Sequence, residues 1–304
     1  MAQTTYDLIV IGEGISGLTC ASYAARAGLK VATFESNLFG GLVLNVNELD
    51  GYPENRNTSG ADLASTLMQS NSNAGVASIQ EEITAIRPSG PAFEVATGAG
   101  AYAARSAVIA SGARLKKLGV PGEREFEGRG VSSCADCDGP MFQNEDVIVV
   151  GGGDSALQEA LVLAQYCRNV KVVHRGDALR AQQRLAQQAR ANPKISVIWK
   201  STVAAILGSK MVEGVRIQRT ADGKTEETPC AGVFAYIGLE PNAGFAPAAV
   251  ARDGRGYLIT NDGLETAVDG IWAIGAVRAG YGGLLRDAAV EARRVAESVR
   301  DRLD

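Results

Sequence analysis

Residues 132–140 read SSCADCDGP, placing Cys134 and Cys137 two residues apart with the carboxylates of Asp136 and Asp138 beside them. Three chemistries use such a pair: metal ligation, a structural disulfide and a redox couple. The rest of the chain narrows them. Its five cysteines are an odd number, and Cys20, Cys167 and Cys230 each lack a partner at ligand spacing. A zinc site is therefore short of a second ligand pair, and a disulfide framework is short of partners. The one histidine is His174, so Ser-His-Asp or Cys-His catalysis would have to run through it. In a reducing compartment a close cysteine pair points to catalysis or metal binding before it points to a structural bridge. No metal is expected.

The elements that would position this pair emerge from an internal repeat. Residues 7–35 read DLIVIGEGISGLTCASYAARAGLKVATFE and residues 146–175 read DVIVVGGGDSALQEALVLAQYCRNVKVVHR. Each is a short apolar strand, a glycine turn, an amphipathic helix and a second apolar strand ending in a charged residue. This is the βαβ dinucleotide fingerprint twice. Gly12 and Gly151 make the tight turn, Gly14 and Gly153 let the backbone approach a pyrophosphate, and Gly17 and Ala156 let helix pack on strand. Asp154 and Ser155 open the second helix and join the candidate cofactor contacts. Glu35, 18 residues past Gly17, stands where a carboxylate accepts from an adenosine ribose, which suits FAD or NAD. In the second copy His174 and Arg175 take that place, with Arg180 five residues on. Cations there pair with a 2′-phosphate and favour NADP.

A length of 304 residues predicts two domains, and 36 glycines suit the tight strand-to-helix turns of an α/β protein. AVIASG (107–112), LGVPGE (118–123) and FAYIGLEPN (234–242) read as strands and connectors around the second repeat. The expected architecture is two three-layer, Rossmann-like domains with one inserted in the other: 1–114 with 243–304, and 115–242. Linkers near 113–118 and 239–244 would form a double hinge. A net charge of -4 offers nothing to nucleic acid or an anionic membrane. No apolar run approaches the ~20 residues of a membrane span. The N-terminus lacks the basic and apolar regions of a signal peptide, and a cytoplasmic location is expected. Cys20, Cys167 and Cys230 read as packing residues, Trp199 and Trp272 as core, and RAQQRLAQQARAN (180–192) as a solvated amphipathic helix.

With two dinucleotide sites and a CxxC just ahead of the second glycine turn, the chain resembles the low-molecular-weight thioredoxin reductases. The matching pieces are GEGISG, FGG at 39–41, AVIASGA, LGVPGE, CADCDG, GGGDSA, VHRGDALRA, FAYIGLEPN and GIWAIGAV, in order and over nearly the whole length. The resemblance implies an FAD domain, an inserted NADPH domain bearing the redox disulfide, a homodimer, and a thioredoxin-like protein or small disulfide as substrate. It implies that Cys137 lies against the flavin, that Cys134 attacks the substrate disulfide, and that Asp138 moves protons to and from the thiols, a role suited to a carboxylate whose pKa is raised by burial. Gly40, Gly41, Gly275 and Ala276 fall at its flavin contacts. Because nicotinamide and disulfide must both reach one flavin, it implies that the inserted domain turns about the two linkers.

The chain departs from that family at several points. Ala276 replaces an aspartate that hydrogen-bonds the ribityl chain, and Gly283-Leu284 replaces an Arg-Gln. One lost charge-assisted hydrogen bond is worth about 1.5–3 kcal/mol of flavin affinity. Glu13 puts a negative charge into the pyrophosphate turn, Gly176 removes one of three cations around the 2′-phosphate, and Asp136 stands between the thiols, where a carboxylate disfavours thiolate. Two other readings use the same residues. One is a relative with a different electron donor or a small-dithiol oxidase, against which GGGDSA with Arg175 and Arg180 argues. The other is a nucleotide-binding or redox-sensing protein without turnover, against which the intact CADCD argues.

Overall fold

The computed structural model describes residues 5–46, 49 and 58–304. The polar start of the chain, 1–4, on which the reading of the N-terminus rests, lies outside them. The chain opens with β1 (Thr5–Ile11), α1 (Ile15–Arg26), β2 (Val31–Phe34), a 3₁₀ turn at Gly41–Asn45, α2 (Gly60–Asn73), β3 (Ala77–Ile79), β4 (Ile83–Ser89), β5 (Ala92–Thr97), β6 (Ala101–Ile109) and β7 (Ala113–Leu115). Next come β8 (Val131–Ser132), α3 (Ala135–Asp138), β9 (Asp146–Gly151), α4 (Asp154–Tyr166), β10 (Asn169–Val173), α5 (Gln183–Ala191), β11 (Ile195–Ile198), β12 (Ser201–Gly208), β13 (Val212–Arg219), β14 (Thr225–Pro229) and β15 (Gly232–Tyr236). β16 (Leu239–Pro241), β17 (Ile271–Ala273) and α6 (Leu285–Leu303) complete it.

The chain is α/β and divides into two compact Rossmann-like units, Met1–Arg114 with Glu240–Asp304, and Leu115–Leu239. The second crossing comes three residues before the one the sequence suggests, because Asn242 is held in the first unit. Ser111 Oγ donates to the Asn242 carbonyl at 2.6 Å, and Asn242 Nδ2 donates to the Ser111 carbonyl at 3.0 Å.

In the first unit the sheet runs β3-β2-β1-β6-β5-β4, with β17 on β6. The strands β3, β2, β1, β6 and β17 pair in parallel, so their carboxyl ends share one edge. The amino half of β6 pairs instead with the antiparallel β5, which continues the sheet into the β4–β5 hairpin. One face is covered by α1 and α6. Cys20, Ala21 and Ala24 meet Ala292, Val295, Ala296 and Val299, all nearly free of solvent. The i, i+3, i+4, i+7 spacing of the α6 set is what lets one stripe of a 19-residue helix be buried.

In the second unit β11-β10-β9-β15-β8 is wholly parallel. The strand interiors VIVV, VKVV and GVFAY are buried runs with little alternation, as a sheet covered on both faces requires. Helix α4 lies on one face through Leu157, Ala160 and Leu163, and the antiparallel β12-β13-β14 sheet packs Val203, Ile206, Val215 and Ile217 into the core on the other. Cys20, Cys167 and Cys230 are buried thiols, as read from the sequence. Trp272 is core, whereas Trp199 falls just past β11, half-buried, its ring edge-on to His174 at 6.0 Å between centroids. No helix of the described residues is long and apolar enough to cross a membrane.

Candidate active site

Ligands of open parallel sheets sit at the strands' carboxyl ends, and in each unit the residues singled out above gather there. In the first unit Gly12 leaves β1 with φ +103°, and a Cβ there would lie 2.5 Å from the Ala110 carbonyl oxygen. A Cβ on Gly17 would lie 1.9 Å from the Gly12 oxygen, so the helix contacts the turn through bare backbone. Gly14, by contrast, faces open space apart from the Gly40 carbonyl at 3.9 Å. It caps α1 without any side-chain hydrogen bond, leaving the first-turn N–H groups for a ligand. Gly40 closes the side of this cradle, bridging Gly14 and donating its N–H to the Glu13 carbonyl at 2.7 Å, with Gly41 next to it. Gly275 follows β17, and a Cβ there would lie 2.4 Å from Ser16 Oγ in the first turn of α1. The Gly275–Val277 turn that carries Ala276 is thereby set against the same helix end. The open face at Gly14 and the uncapped helix fit a dinucleotide pyrophosphate.

Glu13 does not project into that cradle. Its side chain is 3% exposed and turned back to the sheet, where Oε1 accepts from Thr33 Oγ1 and from Ser78 Oγ, each at 2.6 Å. The carboxylate expected in the turn is thus drawn away from it by hydroxyls on β2 and β3. Glu35, at the end of β2, accepts from the Glu13 N–H at 3.1 Å and the Asn37 N–H at 3.0 Å. Two donors fix the carboxylate at the lip of the cradle, and each oxygen keeps a lone pair for a ribose hydroxyl. In place of the family's aspartate, Ala276 sits in a loop held from behind. Glu291 of α6, 7% exposed, accepts the Gly275 N–H at 2.8 Å and pairs with Arg278. Arg286 is exposed and directed to Asp287.

In the second unit the glycine turn is built alike. A Cβ on Gly151 would meet Ala156 Cβ at 2.7 Å, while Gly153 has nothing within 4 Å and caps α4 with no side-chain bond. Asp154 is occupied with the chain itself, accepting from Gln182 N at 2.6 Å and Gln182 Nε2 at 3.0 Å. Together with the Arg180 N–H on the Gly152 carbonyl at 2.7 Å, this pins the 180–182 stretch beside the turn. Ser155, Arg175 and Arg180 are exposed, and neither arginine has an ion pair among the described residues. His174 is 7% exposed. One ring edge lies against Gly152 and Nε2 meets the Ala178 carbonyl at 2.9 Å. A Cβ at Gly176 would come within 2.9 Å of that nitrogen, so the glycine makes room for the imidazole.

The cysteine pair follows β8, at the same sheet edge as the Gly151 turn. Cys134 and Cys137 form a disulfide with Cα atoms 5.3 Å apart, Cys134 half-buried and Cys137 exposed. Cys134 caps the single turn of α3. Its N–H donates to Ser132 Oγ at 3.1 Å, its Sγ accepts the Cys137 N–H at 3.2 Å, and its carbonyl accepts the Asp138 N–H at 3.1 Å. Ser132 Oγ donates in turn to Asp138 Oδ2 at 2.6 Å, tying the carboxylate to the cysteine turn. Asp136 is exposed.

Three residues of this site escaped the sequence reading. They are Ser132, Glu159 and Tyr236. Glu159 of α4 accepts the Ala135 N–H at 3.0 Å and the Tyr236 hydroxyl at 3.1 Å, both on Oε2. Burial pushes the Glu159 carboxyl up, with nearby Asp136 adding to it, and burial likewise pushes the Tyr236 phenol up. The available signal was a carboxylate at position 159 on the same helix face as Ala156, Ala160 and Leu163, which are buried.

Comparison with known proteins agrees with this geometry. Residues 6–297 match the pyridine nucleotide-disulphide oxidoreductase family model. The chain belongs to that family, among the low-molecular-weight thioredoxin reductases. It is 42% identical to the thioredoxin reductase of Treponema pallidum (strain Nichols), covering 91% of this chain and 90% of the relative. It is 38% identical to that of Listeria monocytogenes, over 99% and 97% of the two chains. The crystal structure of Lactococcus lactis thioredoxin reductase superposes with a TM-score of 0.90 at 35% identity, covering 97% of this chain and 98% of that one.

Proposed function

We propose that this protein is an NADPH-dependent flavoprotein disulfide reductase that delivers electrons through Cys134 and Cys137 to thioredoxin. The observation that carries the reading is the pairing of a closed Cys134–Cys137 disulfide with a glycine cradle at one sheet edge of one unit, in a chain whose other unit carries a second cradle. FAD, when bound, supplies the two-electron relay between a nicotinamide hydride and a disulfide.

The chain's own residues hold and orient. Gly12, Gly14, Gly17 and the first turn of α1 receive the FAD pyrophosphate, Glu35 its ribose, and Gly40, Gly41, Gly275 and Ala276 border it. Gly151, Gly153, Ser155 and Ala156 receive NADPH, Arg175 and Arg180 offer charge to its 2′-phosphate, and Asp154 and His174 shape that pocket from behind. Asp138, held by Ser132, stands directly after Cys137 in the chain as the proton donor and acceptor for the thiols. Cys137 is assigned the flavin-facing role and Cys134 the attack on the substrate. A cytoplasmic homodimer completes the reading.

The test is an anaerobic NADPH titration of the purified protein, followed by its visible spectrum. A flavin band that bleaches with stoichiometric NADPH supports the reading. A flavin that stays oxidised places the donor elsewhere, and a colourless protein that FAD cannot reconstitute refutes it.

A further inference from the structure

We propose that Glu159 is a positioning residue for the Cys134–Cys137 couple, holding the peptide after Cys134 so that the reduced thiols stay poised to re-form the disulfide. The inference rests on the reading of that pair as a redox couple.

Glu159 lies in the second turn of α4, the helix that leaves the Gly151–Gly153 turn. Its Oε2 accepts the N–H of Ala135, the residue directly after Cys134, at 3.0 Å. The same oxygen accepts the hydroxyl of Tyr236 at 3.1 Å. Tyr236 ends β15 directly opposite Gly151 in the sheet register and is 8% exposed. One carboxylate oxygen thus ties the cysteine turn to the helix that leaves the nucleotide turn and to the strand paired beside that turn, all inside one unit.

Reduction breaks the S–S bond, takes up two electrons and two protons, and leaves two thiols. The turn then depends on what else holds it. Cys134 is kept by its N–H on Ser132 Oγ and its carbonyl under the Asp138 N–H, both contacts within the loop itself. The Glu159–Ala135 bond comes from outside the loop. Ala135 is fully buried, so its N–H has no water to turn to if the carboxylate is lost. Holding that peptide limits the arrangements in which the sulfurs are far apart, and this raises the effective concentration of one thiol at the other. The anchor therefore favours the disulfide over the dithiol.

The experiment equilibrates holoenzyme with glutathione buffers of set ratio, by disulfide + 2 GSH ⇌ dithiol + GSSG. Samples are acid-quenched, and the alkylated Cys134 and Cys137 are counted by mass. Glu159→Ala should move the midpoint at least fivefold toward the dithiol. Glu159→Gln, whose amide oxygen still accepts both donors, should stay within twofold of the parent. Glu159→Leu keeps the volume without the acceptor and gives the same reading should the alanine variant not fold. A midpoint in Glu159→Ala or Glu159→Leu within twofold of the parent overturns the inference, as does a glutamine variant shifted as far as they are, which would make charge and not position the cause. If the parent pair does not titrate at any ratio, the redox-couple reading itself fails, and this inference with it.

Discussion

Five cysteines divide by burial into two kinds. Burial pushes the thiols of Cys20 and Cys230 up to about 12 and that of Cys167 up to about 11. Thiolate is the reactive form, so these three are inert at neutral pH. Reduced enzyme treated with iodoacetamide near pH 7 should take up two labels, both on Cys134 and Cys137, and labelling of Cys20, Cys167 or Cys230 in the folded protein would contradict the assignment. The same shifts carry a stability consequence. A thiol ionises near ~8.5 in the unfolded chain, whereas the folded protein keeps these three protonated to a higher pH. Their contribution is complete below the unfolded value and is lost as pH rises through about 11 to 12. A second carboxylate belongs to the same scale. Glu13 is buried with Thr33 and Ser78 as its donors; Ser78 is exposed and can turn to water, so Glu13→Ala leaves the buried Thr33 hydroxyl short of an acceptor. Unfolding in urea should show a loss of about 1–3 kcal/mol, the cost of one buried group left unsatisfied, and an unchanged midpoint would mean water replaces the carboxylate.

The glycines of one turn separate into those that hold the fold and those that face a ligand. Gly17 has the Gly12 oxygen where a Cβ would go, and the neighbour is backbone that cannot swing aside. Gly17→Ala should therefore lift α1 from the sheet and lower the melting temperature of the FAD-free protein. Gly14 has open space there and an extended φ of -71° that alanine adopts freely. Gly14→Ala should leave the FAD-free melting curve within a degree or so of the parent while weakening FAD retention at least tenfold on dialysis. A Gly14 variant that melts early would mean the residue is structural. These elements were legible in the sequence because a short continuous apolar run precedes each glycine turn and a helix with apolar period near 3.6 follows it. The tertiary partners of single polar residues were not. Nothing local predicts that Glu13 turns back to Ser78, 65 residues away, or that Glu159 reaches Ala135 across 24. The β12–β14 sheet was likewise unannounced, since its short alternating strands carry no chemistry of their own. His174 was read as a cation for a phosphate because a basic residue ends the second repeat; its burial against Gly152 depends on Gly176, two residues on, having no side chain.

At the scale of the whole chain the two units are each complete enough to respond alone. The chain passes between them only at Arg114–Leu115 and Leu239–Glu240, where β7 and β16 pair as a short ribbon. Each unit has its own parallel sheet and its own buried cores on the sheet faces. A ligand that binds only the folded form stabilises what it touches by about 2.7 kcal/mol at a hundredfold excess over its Kd. Amide exchange slows first where a nucleotide closes a cradle. NADP⁺ added to the purified protein should slow exchange in peptides from Leu115–Leu239, above all those spanning 150–156 and 174–182. FAD added to flavin-depleted protein should slow it in Met1–Arg114 and Glu240–Asp304, around 11–17, 35–41 and 274–278. The Ala276 substitution sharpens the second half of this test, because a flavin that lacks a carboxylate at that turn has to be retained through α1, Glu35 and the backbone of the Gly275 loop. Protection confined to 11–17 and 35–41, with none at 274–278, would mean that the Gly275 loop, though fixed to Glu291, contributes nothing to flavin binding, and that the cradle on β1 and β2 holds the cofactor by itself.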